Sequence, residues 1–146
     1  MIAVADAANA VVETLESNNT RLMMVRIGPD LTITAASAAA SAVAGTTVAA
    51  SDTTANTGGG GATASTTSYY LSANAVFDSS DVLIGTRSVG AVAAGASDAG
   101  STTLTIPAGT AAGTYYIVVL ADGPQSVPET TEVNNTRALL LKVTGS

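Results

Sequence analysis

The chain has 146 residues and a net charge of −6, with only five lysines and arginines. So few basic residues cannot neutralise a run of phosphates, which excludes nucleic acid as a partner and argues against anionic membrane surfaces. There is no histidine and no cysteine, which excludes a disulfide framework and the usual nucleophile–base pairs of hydrolases. The sequence has no run of eighteen apolar residues, so no transmembrane helix is predicted. We therefore expect a protein that is not an enzyme.

The start of the chain repeats its end. IAVADAANAVVETLESNNTR, from Ile2, aligns without a gap on VVLADGPQSVPETTEVNNTR, from Val118, so that equivalent residues lie 116 positions apart. The likeness continues from LMMVRI, after Arg21, to ALLLKV. Self-similarity at a fixed spacing is typical of repeat architectures. The sequence therefore divides into an N-terminal arm, residues 1–28, and one module, residues 29–146.

The arm is predicted to form two strands and a turn, as a copy of the module's last hairpin. An isolated hairpin is marginal in water, and its open edges can pair with another sheet. The arm is then either the remnant of a preceding module or a strand pair that adds to another chain. Gly28 and Pro29 form the predicted hinge. The predicted assembly interface consists of the arm's apolar residues, Ile2, Val4, Leu22, Met23, Met24, Val25 and Ile27.

From about Asp30 onward, alternating patterns and turn residues predict an antiparallel β-sandwich of seven or so strands. The alanine- and serine-rich segment 35–44 could be helical by propensity, but its position between strands favours an irregular crossing or an edge strand. Gly58–Gly61 is predicted to be a flexible turn. The predicted strands are 30–34, 46–56, 63–72, 82–84, 87–92, 101–106, 114–120 and 136–143.

Several short segments follow one another in the order and spacing of a known family pattern. They are Pro29-Asp30-Leu31, Thr47-Val48, Asn56-Thr57-Gly58, Tyr70-Leu71-Ser72, residues 77–85, Ala94-Gly95-Ala96-Ser97, residues 107–116, Ala121-Asp122 and residues 127–135. With these segments the chain resembles, over residues 29–143, the CARDB (bacterial cell-adhesion-related domain) family. The resemblance implies an immunoglobulin-like sandwich of the kind found in tandem on large secreted and surface proteins. It also implies an extracellular or bacterial cell-surface location and a broad link to adhesion.

Two acidic motifs could bind Ca²⁺, because carboxylate oxygens in loops are its preferred ligands. Glu-x-x-Glu-x-Asn-Asn-Thr occurs at 13–20 and again at 129–136, where a hydrogen-bonded turn is the favoured interpretation. Asp78 and Asp81 are the better metal hypothesis, although a turn is favoured there too. The tyrosine pairs at 69–70 and 115–116 are predicted to anchor the core and sheet rather than stack on a sugar.

The function favoured by these features is a non-catalytic structural module of a bacterial extracellular stalk or surface fibre. Its partners would be other copies or neighbouring identical modules, which the arm would join by strand addition. No cofactor is expected. The alternative is a ligand-binding adhesion module that recognises a cell-surface or glycan ligand, with Ca²⁺ as its cofactor.

Overall fold

The structure, a computed structural model, describes residues 1–145, and its regular elements are strands apart from one 3₁₀ turn at Glu16–Asn18. The first two strands, β1 (Ile2–Val4) and β2 (Thr20–Leu22), pair antiparallel with each other and with no strand of the module. The predicted N-terminal hairpin is confirmed.

Eight further strands form the module: β3 (Leu31–Ala38), β4 (Ser41–Val43), β5 (Thr47–Asn56), β6 (Ser65–Ser72), β7 (Val82–Val89), β8 (Ser97–Thr105), β9 (Gly113–Leu120) and β10 (Thr136–Thr144). They make a five-stranded sheet in the order β4–β10–β9–β6–β7 and a three-stranded sheet in the order β3–β5–β8. Neighbouring strands are antiparallel except β4 and β10, which are parallel. The predicted immunoglobulin-like sandwich is confirmed.

The core lies between the two sheets, where alternate residues of each strand point inward. Because alanine, serine and threonine bury little apolar area, at about 25 cal/mol per Å², a few large side chains supply most of the hydrophobic stabilisation. The largest that are fully buried are Tyr69, Leu31, Leu104, Ile106, Ile117 and Leu141.

Two segments differ in detail from the predicted strands. The alanine-rich segment continues β3 as an edge strand and then supplies β4 to the other sheet, so the chain changes sheets at residues 39–40. Residues 82–89 form one strand where a break was predicted around Gly85. A Cβ at Gly85 would lie 2.6 Å from Leu104 Cδ2. This glycine therefore permits a close approach to β8 and does not end the strand.

The chain enters and leaves the module at opposite ends. Asn134, just before β10, donates a 2.9 Å hydrogen bond to Asp30, just before β3. β10 then runs away from that end until Thr144 pairs with Val43. At about 3.3 Å per residue, this strand spans about 30 Å. We call the end beside Asp30 the junction end and the end beside Thr144 the exit end.

Candidate functional site

At its three paired positions the arm has the strand register of the module's last hairpin. In the arm Ile2 faces Leu22, and in the module their counterparts Val118 and Ala138 face each other. Strand register is specified by packing and turn geometry, and packing against a second sheet is missing in the arm. The turn geometry of the loop is therefore enough to hold the copied register.

The two loops share the same hydrogen bonds. Asp6 and Asp122 both have positive φ angles, 44° and 43°, a conformation that aspartate tolerates better than most residues. The carboxylate of Asp6 accepts the N–H of Val11 at 2.8 Å, and that of Asp122 accepts the N–H of Val127 at 2.7 Å. The arm is thus a folded hairpin whose loop is already in the module's conformation.

Every residue before Asp30 is exposed or half-buried. All seven residues of the predicted assembly interface are exposed, namely Ile2, Val4, Leu22, Met23, Met24, Val25 and Ile27. Clusters of uncovered apolar side chains are common at interaction sites, so the assembly interface stays a prediction that the exposure of these residues allows.

The counterparts of these residues in the module show which of them belong to the packing face. Leu141, the counterpart of Val25, is 0% exposed, whereas Leu140, the counterpart of Met24, is 62% exposed. Val143, the counterpart of Ile27, is also buried. By this correspondence Val25 and Ile27 match the face that the module's hairpin buries, and Met24 matches the opposite face.

Two further positions of this face escaped the sequence prediction. Ala5 and Val11 are exposed in the arm, but their counterparts Ala121 and Val127 are buried in the module core. The repeat itself contained the signal, because all four positions are apolar in the aligned segments. Loop residues had not been expected to reach the core.

The loop between β9 and β10 clamps the start of the module. Glu129 accepts hydrogen bonds from the N–H of Leu31 and, at 3.0 Å, from the side chain of Asn135. The N–H of Thr130 donates to the carbonyl of Pro29 at 3.0 Å. The second Glu-x-x-Glu-x-Asn-Asn-Thr motif therefore makes hydrogen bonds within the protein, as the favoured interpretation holds.

We expect the free energy of unfolding to fall by about 1–2 kcal/mol as the pH rises from 5 to 8. Burial, which outweighs the hydrogen bond from Leu31 and is assisted by the charge of Glu132, raises the pKa of Glu129 to about 7. The folded state then binds this proton more tightly than the unfolded state. Its stabilising effect is complete below the ordinary pKa of the group and is lost as the pH rises through about 7.

Urea denaturation at several pH values measures this slope. Glu129→Gln should flatten it, whereas Glu13→Gln, the same change in the arm, should leave it as it is. A slope that persists in Glu129→Gln would show that another group is responsible.

The predicted hinge is held against the module. The carbonyl of Gly28 accepts the N–H of Gly60 at 2.9 Å. A Cβ at Gly58 would lie 2.3 Å from the Gly28 oxygen, and one at Gly59 would lie 2.0 Å from the Arg26 oxygen. The glycine run thus contacts the segment that joins the arm to the module. These contacts fix the direction in which the chain at Gly28 and Pro29 extends from the module. Bending at this pair stays a prediction.

A buried ion pair connects the two sheets. Arg87 on β7 donates two hydrogen bonds of 2.7 Å to Asp52 on β5 and one of 2.5 Å to Asp98 on β8. Tyr69 on β6 also donates to Asp52 at 2.5 Å, and Thr54 donates at 3.0 Å. Each atom of the Asp52 carboxylate therefore has partners, which a buried charge requires.

The ionisation of this cluster is fixed by its partners. Burial alone would raise the pKa of Asp52, but the hydrogen bonds from Arg87 and Tyr69 hold it below its ordinary value. This pair was not predicted from the sequence. The alternation of β5 could have indicated it, because Asp52 falls on the same inward face as Val48 and Ala50. A carboxylate at such a position needs a cation.

Asp78 and Asp81 lie in an exposed turn between β6 and β7. Asp78 accepts the N–H of Ser80 at 2.7 Å, and Asp81 accepts the N–H of Asp78 at 3.0 Å. The hydrogen bonds that Asp78 accepts from Ser80, first from its hydroxyl and then from its N–H, lower the pKa of Asp78. Two carboxylates already engaged in a turn fall short of the six to eight oxygens that Ca²⁺ takes. The pair alone does not fit a resident metal, and the Ca²⁺ site stays a prediction.

A groove of about 540 Å³ lies at the exit end, beside the same turn. It is lined by residues of the β6–β7 and β8–β9 loops, including Asp81 and Thr110, and by Tyr115 on β9. Tyr69 is fully buried, and Tyr70 packs on Phe77 with ring centroids 4.7 Å apart. Of the tyrosines, Tyr115 is the one that lines this groove.

Within residues 1–145, no three acidic side chains come together in a way that could hold a metal ion. The same residues include no helix long and apolar enough to cross a membrane.

Solved structures with this fold include two separately solved domains. One is the CARDB domain of a Pyrococcus furiosus protein, in complex with di-metal ions, at 18% identity and a TM-score of 0.60, covering 84% of this chain and 95% of that one. Another is a domain assigned to a cell-surface protein of Methanosarcina acetivorans, at 21% identity and a TM-score of 0.57, covering 81% and 94%. At these identities the similarity shows the fold alone.

A β-glucosidase from Listeria innocua also contains this fold, at 17% identity and a TM-score of 0.54, but the match covers only 16% of that enzyme and 80% of this chain. No curated protein matched by sequence. The CARDB family model matches residues 28–139, which is most of the chain. The chain belongs to the CARDB family.

Proposed function

We propose that this chain is a non-catalytic structural module of an extracellular stalk or surface fibre. Its arm would pair with a neighbouring module or subunit by strand addition. The observation that carries the proposal is the second copy of the last hairpin, which is folded in the module's own register and leaves its apolar residues uncovered.

The path of the chain supports an arrangement in series. The arm joins the module at the junction end, and β10 ends about 30 Å away at the exit end. Modules connected in this way add length with each unit, as a stalk requires. The contacts of Gly28 with the glycine run would keep successive units at a defined angle.

The surface location is supported by family membership and by the similarity to the Methanosarcina acetivorans domain. A net charge of −6 and the lack of cysteine agree with an extracellular protein that is held together without disulfides.

Light scattering over a concentration series, with electron micrographs, tests the assembly. The control is residues 29–146, which should fold alone because all buried residues lie from Asp30 onward. We expect the full chain to grow with concentration into linear assemblies and the control to remain monomeric. If both stay monomeric at every concentration, association through the arm is ruled out for this chain.

The second candidate is a ligand-binding adhesion module, which the groove beside Asp81 and Tyr115 favours. The relative solved with di-metal ions gives this candidate a cofactor to test. For a structural module we expect Ca²⁺ or glycans to shift the melting temperature by less than about 1 °C. A rise of several degrees with Ca²⁺, lost in Asp78→Asn and Asp81→Asn, would favour the adhesion module instead.

A further inference from the structure

We infer that the surface that the arm fits is the body of a second CARDB sandwich, equivalent to residues 29–116, whose last hairpin is missing. The arm would occupy the place that residues 117–143 occupy in this module. This inference rests on the proposed function in the form in which the partner is a neighbouring module, because another free copy of this chain already fills that place with its own last hairpin. It names the partner surface together with its register.

The apolar side chains of the arm repeat the core-facing pattern of the module's last hairpin. Val11, Val25 and Ile27 stand at the positions of Val127, Leu141 and Val143, all of which are 2% exposed or less. Ala3 and Ala5 stand at the positions of Val119 and Ala121, which belong to the same core. A face that copies a buried pattern position by position fits the surface that buries the original.

The polar clamp of the last hairpin is repeated as well. In the module, Glu129, Thr130 and Asn134 hydrogen-bond to the segment 29–31 that starts the sandwich. The arm has the same residues at these positions, Glu13, Thr14 and Asn18. The start of another sandwich would offer them the matching N–H, carbonyl and carboxylate groups.

The arm has no such place on its own module. The site is filled by β10, whose Val143 pairs with Ala42 near the exit end. Ile27, the counterpart of Val143, is followed directly by the junction end, about 30 Å away. The arm therefore cannot displace β10 of its own chain without unfolding the module, and its partner must be a separate body.

The test places a second copy of residues 29–116 directly before Met1 of the full chain, so that Tyr116 of the added body precedes the arm. We expect the added body to resist proteolysis and the arm's amides to exchange about 100-fold more slowly than in the unaltered chain. The original module, which contains its own hairpin, is the folded reference within the same molecule.

Two adjacent substitutions give a matched control. In the extended chain Val25→Asp, at the counterpart of buried Leu141, should leave the added body protease-sensitive, whereas Met24→Asp, at the counterpart of exposed Leu140, should not. In the unaltered chain neither should change stability, because both residues are exposed there.

If the added body is digested while the original module stays intact, the inference is overturned. Equal effects of the two substitutions would also overturn it, since they would place the arm in another register. Neither result would decide the proposed function. The concentration series on the unaltered chain tests that function separately, because it would still detect assembly by pairing at a sheet edge.

Discussion

Replacing Arg87 by methionine should lower the free energy of unfolding by about 3–5 kcal/mol, because Asp52 would keep its charge in the core without a cation. The Asp52 side chain is 0% exposed, and both its oxygens accept hydrogen bonds from the guanidinium. Asp98 would lose its partner too, but that residue is partly exposed and can be solvated.

Urea denaturation at pH 7 measures this loss. The double variant Asp52→Asn with Arg87→Met removes both charges and retains an acceptor for Tyr69, so it should recover about half of the stability. Arg21→Met, an exposed arginine of the arm, should stay within about 0.5 kcal/mol of the unaltered chain. A loss below about 1 kcal/mol in Arg87→Met would mean that water reaches Asp52.

The pH dependence of the same variant gives a second test. With Arg87 present, the pKa of Asp52 lies below its ordinary value, so this stabilising contribution persists at neutral pH and is lost only in acid. Without Arg87, burial would raise the pKa of Asp52. The variant should therefore protonate Asp52 at a higher pH than the unaltered chain does, and it should be closer in stability to the unaltered chain in acid than at pH 7.

Much of the fold could be predicted from alternation, because strands such as Thr47–Asn56 bury every second residue. Two features could not be predicted in this way, namely the continuation of β7 through Gly85 and the change of sheet within the segment 35–44. Both depend on contacts with the opposite sheet. A glycine within a strand has the same local preference whether it ends the strand or permits a neighbour's approach. A run of alanine and serine similarly lacks the large side chains that would assign it to one sheet.

The candidate site could likewise be predicted only in part from the sequence. The repeat identified the arm and its apolar residues, since self-similarity needs no structure to be seen. It could not separate Val25 from Met24, because both are apolar and only burial of their counterparts distinguishes them. Nor could it pair Asp52 with Arg87, which lie far apart in sequence and meet only through the packing of β5 on β7.

Leu141→Ala should cost about 2–5 kcal/mol of unfolding free energy, whereas Val25→Ala, the equivalent truncation in the arm, should cost less than about 0.5 kcal/mol. Leu141 is fully enclosed by the core, so its removal leaves a cavity. Val25 is 45% exposed and belongs to a hairpin that packs on no second sheet. The two residues thus share a place in the repeat and differ in what surrounds them.

Chemical denaturation of the two variants at low protein concentration measures the difference, with similar m-values showing that the unfolding reaction is the same. A cost above 1 kcal/mol for Val25→Ala in a monomer would mean that the arm packs on its own module in solution. When residues 29–116 precede Met1, the cost of Val25→Ala should rise towards that of Leu141→Ala, because the added body would enclose Val25 as the module encloses Leu141. An arm that completes a neighbouring sandwich would make Val25→Ala destabilising only when the added body is present. An arm that merely precedes a module would leave the effect of Val25→Ala small in both chains.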